Sequence, residues 1–273
     1  MFALSLCALV SGTALPPRTT VTAPPANVIS GRVTMADGTP LRGEITDIAI
    51  RINGITMAGA NVSYSPVVRP DGTYRQRVAP GQYSFSTSRI TVTFGSAQFA
   101  LQLEPVGSNW NKNQDADDGI TQHFTWKVTG ATRYAAGQPS PNNHTHWYGM
   151  SVGMGFQTYR SDLKRSSVEP PDGTRLVFTA TATSRSIDGR VLAPVVIERA
   201  WKAAAITHND DLNDLVPANY DITGVAILPD GTRKPIVFQG AGNYPNYVST
   251  LKAPLETGSV GGINKLLAGW AID

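Results

Sequence analysis

Asp-Gly pairs punctuate this chain from end to end, among them Asp37-Gly38, Asp71-Gly72, Asp172-Gly173, Asp188-Gly189 and Asp230-Gly231. Glycine accepts the positive φ that a tight turn needs, and the aspartate side chain closes the turn onto its own backbone. Three of the pairs stand in Pro-Asp-Gly-Thr, beginning at Pro70, Pro171 and Pro229. That shared tetrapeptide is turn chemistry and not an internal repeat. The segments between the turns alternate apolar and polar residues, and no long amphipathic helix interrupts them. Short alternating strands with turn signals at this spacing argue for β-sandwiches rather than βαβ units. At 273 residues the chain is long for one sandwich and comfortable for two. The expected fold class is all-β, with two β-sandwich domains in tandem.

The best-defined unit is Val67–Phe85. After the turn at Pro70-Asp71-Gly72, Tyr74, Gln76 and Val78 fall on one face of an extended chain, with Arg75 and Arg77 on the other. Ala79-Pro80-Gly81 turns again, and Tyr83 and Phe85 resume the alternation. Upstream, Val28–Leu41 reads as a short strand and the Asp37-Gly38 turn. Gly31, Val33, Asp37, Gly38, Pro40 and Leu41, followed by Asp71, Gly72, Tyr74, Val78, Pro80, Gly81 and Tyr83, resemble the carboxypeptidase regulatory-like domain. The resemblance covers roughly residues 27–104, about a third of the chain. It implies a small sandwich of transthyretin-like topology and a non-catalytic module of a secreted protein. Between Leu41 and Arg69 the chain departs from that family with a longer link. Ile48, Ile50 and Ile52 alternate up to Asn53-Gly54, a strong hairpin dipeptide, so an added hairpin is predicted there. Ile90, Val92 and Phe94, then Phe99, Leu101 and Leu103, supply closing strands.

Polar loops follow at 104–121 and 129–146, around a strand at His123–Val128. In Tyr148–Thr158 the large residues Tyr148, Met150, Val152, Met154 and Phe156 face one way. Gly149, Ser151, Gly153 and Gly155 face the other, which predicts close approach of another segment. Further strands are predicted at 175–183, 191–201 (an edge or bulge, because of Pro194), 220–228, 233–239 and 247–251. The domains so delimited are 28–104, 105–252 and a C-terminal tail, 253–273. In the tail, Ile263, Leu266, Leu267 and Trp270 recur at helical spacing and predict a short helix or turn packed on the body.

Residues 1–14 are apolar up to Val10 and end in small residues, resembling the apolar core and cleavage site of a secretory signal. Residues 15–27, rich in Pro and Thr, suit a tether between that segment and the first domain. Cys7, the only cysteine, lies within the signal-like segment. Leu4-Ser5-Leu6-Cys7 approaches a lipoprotein motif but places Leu6 where that motif takes a small residue; removal with the signal and lipidation are the alternatives. The rest of the chain holds no disulfide. Charged residues make up 16%, against about 25% in average proteins. The net charge of +3 is small and its cations are scattered, which excludes a nucleic-acid partner. No later apolar stretch approaches the ~20 residues of a membrane helix. The expected localisation is secreted or cell surface.

Gly149-Met150-Ser151-Val152-Gly153 matches the G-x-S-x-G pattern, but a nucleophile elbow needs a strand before the serine and a helix after it, and neither is present. His144 and His146 are the metal candidates: in a strand, i and i+2 side chains reach the same ion, with His123, His208 or an aspartate as third ligand. An H-x-H pair on a β-sandwich also resembles the intradiol dioxygenases, although their arginine-proline context and first tyrosine motif are missing. Two surface histidines in a loop are the alternative. Asp115 and Asp117, with Asn113, Asp118 and Gly119, form an acidic loop able to hold a structural calcium, although without EF-hand spacing. His208–Asp211 with Asn213 and Asp214 forms another. Trp110, Trp147, Tyr244 and Tyr247 are the ligand-facing aromatics, because a flat ring stacks on the apolar face of a sugar. Trp126 and Tyr148 belong to the core. The reading is a non-catalytic protein that binds polysaccharide or a surface protein, or serves an extracellular assembly, with self-association possible. It needs no cofactor beyond a structural calcium or a His-bound divalent metal. The alternative is a metal-dependent extracellular enzyme built on His144 and His146.

Overall fold

A computed structural model of the chain describes residues 24–86, 88–109, 111–133, 144–202, 211–240, 246–258 and 262–273. The chain is all-β, and no α-helix occurs among the described residues. In the N-terminal half the strands are β1 (Val28–Met35), β2 (Glu44–Ala49), β3 (Ile52–Thr56), β4 (Asn61–Tyr64), β5 (Thr73–Arg77), β6 (Gly81–Phe85), β7 (Arg89–Phe94), β8 (Ala97–Gln102), β9 (Glu104–Pro105), β10 (Gln114–Asp115), β11 (Ile120–Thr121) and β12 (Phe124–Trp126). The C-terminal half holds β13 (Met150–Phe156), β14 (Tyr159–Arg160), β15 (Arg165–Ser166), β16 (Arg175–Ala182), β17 (Val195–Ala200), β18 (Leu212–Leu215), β19 (Tyr220–Ile227), β20 (Arg233–Gly240), β21 (Leu251–Ala253) and β22 (Leu266–Ile272).

The Asp-Gly turns form as their chemistry requires. Gly72 has φ +82°, and a Cβ there would stand 2.3 Å from the Val33 carbonyl oxygen, so only glycine fits. The Asp71 carboxylate accepts the Thr73 amide at 3.0 Å and the Thr73 hydroxyl at 2.7 Å. Asp37 is engaged in the same way by Thr39, and Asp230 accepts the Thr232 amide at 2.8 Å. The threonine hydroxyls and amides hold Asp37 and Asp71 below the usual carboxylate range, and at Asp230 the Thr232 amide leads, followed by its hydroxyl. A carboxylate with a depressed folded pKa contributes stability that is present above its unfolded pKa, about 3.9, and is lost as pH falls through the folded value. The triple variant Asp37→Asn, Asp71→Asn, Asp230→Asn keeps a carbonyl acceptor at each turn but cannot titrate. Its thermal midpoint is therefore expected to fall less than the wild type's between pH 4.5 and pH 2.5; parallel acid limbs would refute the assignment.

Within β5, Tyr74 is buried while Arg75 and Arg77 are exposed, as the alternation demands. β5 pairs antiparallel with β1. The opposite edge of β1 takes two partners in parallel, β11 through Ile29↔Ile120 and β12 through Val33↔Phe124. β10 joins β6 antiparallel. Three strands lying beyond residue 104 thus complete the sheets of the N-terminal half. Parallel pairing between distant segments leaves no local mark in a sequence.

The link after Leu41 does carry a hairpin, β3–β4, but it turns at Met57–Ala60, where Gly59 has φ +82°. Asn53-Gly54 lies inside β3 instead. A Cβ on Gly54 would stand 2.2 Å from the Tyr83 ring, so this glycine makes room for a neighbour rather than a turn.

The C-terminal half is an eight-stranded sheet in the order β17-β16-β19-β20-β22-β13-β18, with β21 added to β19. β17, following Pro194, is its edge. The predicted C-terminal helix is a strand: β22 lies between β20 (antiparallel) and β13 (parallel). Its run from Ala268 to Ala271 is buried without a break, and a short apolar run enclosed on both faces cannot be told from a helix by periodicity. All ladder pairs among the described strands stay within one half, yet the buried side chains from Ile29 to Trp270 form one continuous cluster.

Candidate functional site

The two halves meet at a cleft of about 400 Å³. β7 and β8 contribute Arg89 and Gln102, and the exit of β12 contributes Lys127. Trp147, Tyr148 and Ser151 come from the entry and start of β13, and Asn264 and Lys265 precede β22.

Asp214 shapes this wall. It adopts φ +63°, unusual for a residue with a side chain. Its carboxylate accepts the Gly130 amide at 2.7 and 2.9 Å and the Gly149 amide at 3.3 Å. The Tyr148 amide bonds the Gly130 carbonyl, and the Thr132 amide the His146 carbonyl. Both ends of the 130–149 segment are therefore pinched together beside β18. A Cβ on Gly149 would stand 2.6 Å from the Leu215 carbonyl oxygen, so the first glycine of G-x-S-x-G is needed for this approach. Burial raises the Asp214 carboxyl above the usual range, while the two amides oppose that rise.

Gly153 admits a lysine. A Cβ there would lie 2.5 Å from Lys265 Cε, so Lys265 crosses over β13 and reaches the Asp211 carboxylate at 2.6 Å. Asp211, 1% exposed, also accepts the Met154 amide. Lys127 lies 2.5 Å from Glu104 and 5.7 Å from the centroid of the Tyr148 ring. The Tyr148 phenol is pushed far above its ordinary range, first by burial and then by the nearby Glu104 carboxylate. Tyr148, assigned to the core from its alternation, is thus a half-buried member of the cleft wall. Arg89 is exposed and makes no ion pair among the described residues. Ser151 is 3% exposed, and its Oγ finds no hydrogen-bond partner among the described residues. β13 continues through Ser151 to Phe156 and runs into strand β14, so the turn and helix of a nucleophile elbow do not form.

Of the four candidate aromatics, Trp147 lines the cleft. Tyr247 lies elsewhere, with the Arg160 guanidinium 4.5 Å from its ring centroid and its hydroxyl donated to the Tyr159 carbonyl. Trp110 and Tyr244 lie outside the described residues. His144–His146 is a 3-10 turn rather than a strand, so the two-residue period that would align both imidazoles does not apply. The His144 side chain lies outside the described residues. His123 accepts the Arg32 amide through Nδ1, and burial holds its pKa below the usual value. Asp115 and Asp117 are exposed, and the Asp115 carboxylate accepts the Asp117 amide at 3.0 Å. No three His, Cys, Asp or Glu side chains gather among the described residues in a metal-holding arrangement. In the second acidic loop, Asp211 and Asp214 are given to lysine and backbone donors, and His208 lies outside the described residues.

Sequence reasoning missed Arg89, Lys127 and Lys265, and it read Asp214 as part of an acidic cation loop rather than as an acceptor of backbone amides. The glycine face of β13 was the one available signal, since it required something to cross there.

No protein-family model matches this chain, and no curated protein matches it. Among solved structures it is similar to a DUF3823 family protein from Bacteroides uniformis, at 12% identity over 85% of this chain and 100% of that one, with a TM-score of 0.22. A DUF3823 family protein from Parabacteroides merdae gives 13% identity over 85% and 99%, with a TM-score of 0.22. The major pilin subunit of Bacillus cereus gives 9% identity over 88% and 92%, with a TM-score of 0.20. Similarities of this size carry no argument about function.

Proposed function

We propose that this is a secreted or cell-surface, non-catalytic binding protein whose inter-half cleft holds a glycan. The observation that carries the reading is the indole of Trp147 set in a concave wall with Gln102, Asn264 and the buried Ser151 hydroxyl. A sugar offers an apolar ring face and a polar rim, and such a cleft complements both. The signal-like segment and the low charge density support the compartment. We further propose that residues 28–104 form a carboxypeptidase regulatory-like module. Its turn at Asp71-Gly72 and the facing of Tyr74 support that kinship.

Isothermal titration against a panel of soluble neutral and acidic polysaccharides tests the reading. Trp147→Ala is expected to weaken the polysaccharide bound by wild type at least tenfold, about 1.4 kcal/mol. Tyr247→Ala should leave it unchanged, because that ring already faces Arg160. Silence across the whole panel, or equal binding by Trp147→Ala and wild type, would sink the proposal.

A further inference from the structure

We infer that the glycan taken by this cleft is anionic, bearing carboxylate or sulfate groups; this rests on the glycan reading of the same site. Three cationic side chains, Arg89, Lys127 and Lys265, line the cleft, and no Asp or Glu does so among the described residues. The two lysines have carboxylate partners, but these stand behind the wall. Asp211 is buried under Lys265, and Glu104 is largely buried behind Lys127. Each pair therefore turns its ammonium toward the cleft and its carboxylate into the protein. An ammonium carries three N–H donors, so each lysine keeps donors beyond the one given to its partner.

Arg89 has no carboxylate partner among the described residues, and its guanidinium offers a planar fork that matches a carboxylate or sulfate in bidentate fashion. Ser151 adds a buried hydroxyl without a hydrogen-bond partner among the described residues, a polar group that a native structure rarely leaves unsatisfied. A neutral sugar lying on this wall would desolvate Arg89 and return no counter-charge. An anionic sugar supplies the missing partner. The volume lies near the lower end for small-ligand sites, which suits a short stretch of glycan rather than a nucleic-acid duplex.

The experiment uses the full chain and two matched pairs of polymers. These are polygalacturonate against the same polymer with its carboxyls reduced to alcohols, and dextran sulfate against dextran. Wild type is expected to bind at least one acidic member tenfold or more tighter than its neutral partner, with affinity falling as salt rises. The pair that shows the difference tells carboxylate from sulfate. Arg89→Ala should bring the two members within about twofold, while Arg75→Ala, on a sheet face outside the cleft, should preserve the difference. Both are exposed positions, and equal thermal midpoints confirm folding. Equal binding of acidic and neutral members by wild type overturns the inference but leaves the glycan reading intact. Equal loss in Arg75→Ala and Arg89→Ala also overturns it, because diffuse surface charge then accounts for the binding. If neither pair binds and the wider panel is also silent, the glycan reading falls with it.

Discussion

Trp270→Ala is expected to destabilise the protein by about 3–5 kcal/mol, the range for a buried tryptophan truncated to alanine. Trp270 is 0% exposed and sits in β22, opposite Phe156 of β13 and Phe238 of β20. Its ring stands edge-on to Phe156 and Trp201, with centroids 5.1 and 5.3 Å away, and those two rings are 5.2 Å from each other. Each such pair adds about 0.5–1.5 kcal/mol beyond area burial, so one truncation removes two of the three contacts and leaves a cavity. Trp201 follows the edge strand β17 and bonds its amide to the Thr174 carbonyl, so the edge loses an anchor as well. Leu267→Ala is the control. Leu267 is 65% exposed, and its loss should stay within about 0.5 kcal/mol. In a helix, positions three apart share a face; in a strand they oppose. Comparable losses at 267 and 270 in urea melts would therefore contradict both the packing and the strand.

Tyr74→Ala is expected to cost about 3–4 kcal/mol, as for other buried aromatics. Tyr74 is 2% exposed, and its hydroxyl donates to the Gln122 carbonyl at 2.5 Å, tying β5 to the segment between β11 and β12. Gly31 makes that reach possible, since a Cβ there would lie 2.6 Å from the tyrosine oxygen and 1.7 Å from the Gln122 oxygen. Burial raises the phenol pKa far above its usual range, which favours the protonated hydroxyl that this hydrogen bond needs. Tyr74→Phe keeps the ring and orphans the carbonyl, and should cost about 1–3 kcal/mol. Arg75→Ala, one residue along and exposed, should stay within about 0.5 kcal/mol. A denaturant series in which Tyr74→Ala and Arg75→Ala lose equally would show that the facing of β5 is wrong.

The sequence by itself determined what depends on neighbours along the chain. The Asp-Gly-Thr turns, the two faces of β5 and of β13, and the edge placement of β17 after Pro194 follow from φ preference, side-chain alternation and a missing amide. Those are properties of a few consecutive residues. Only the tertiary structure decided what depends on partners far away. β22 is a strand because β13 and β20 both offer it unpaired backbone, which outweighs the helical spacing of its apolar residues. Gly54 serves the Tyr83 ring instead of a turn, and β11 and β12 align with β1 across more than eighty residues of chain. The cleft belongs to the same class. Trp147 was legible as an aromatic in a polar loop, but Arg89, Lys127 and Lys265 are unremarkable in their local settings. They converge because Gly153 lets a lysine pass, Asp211 and Glu104 hold two ammoniums from behind, and Asp214 draws together the ends of a distant segment. A carboxylate's partner is chosen by proximity in space, and no spacing along a chain records it.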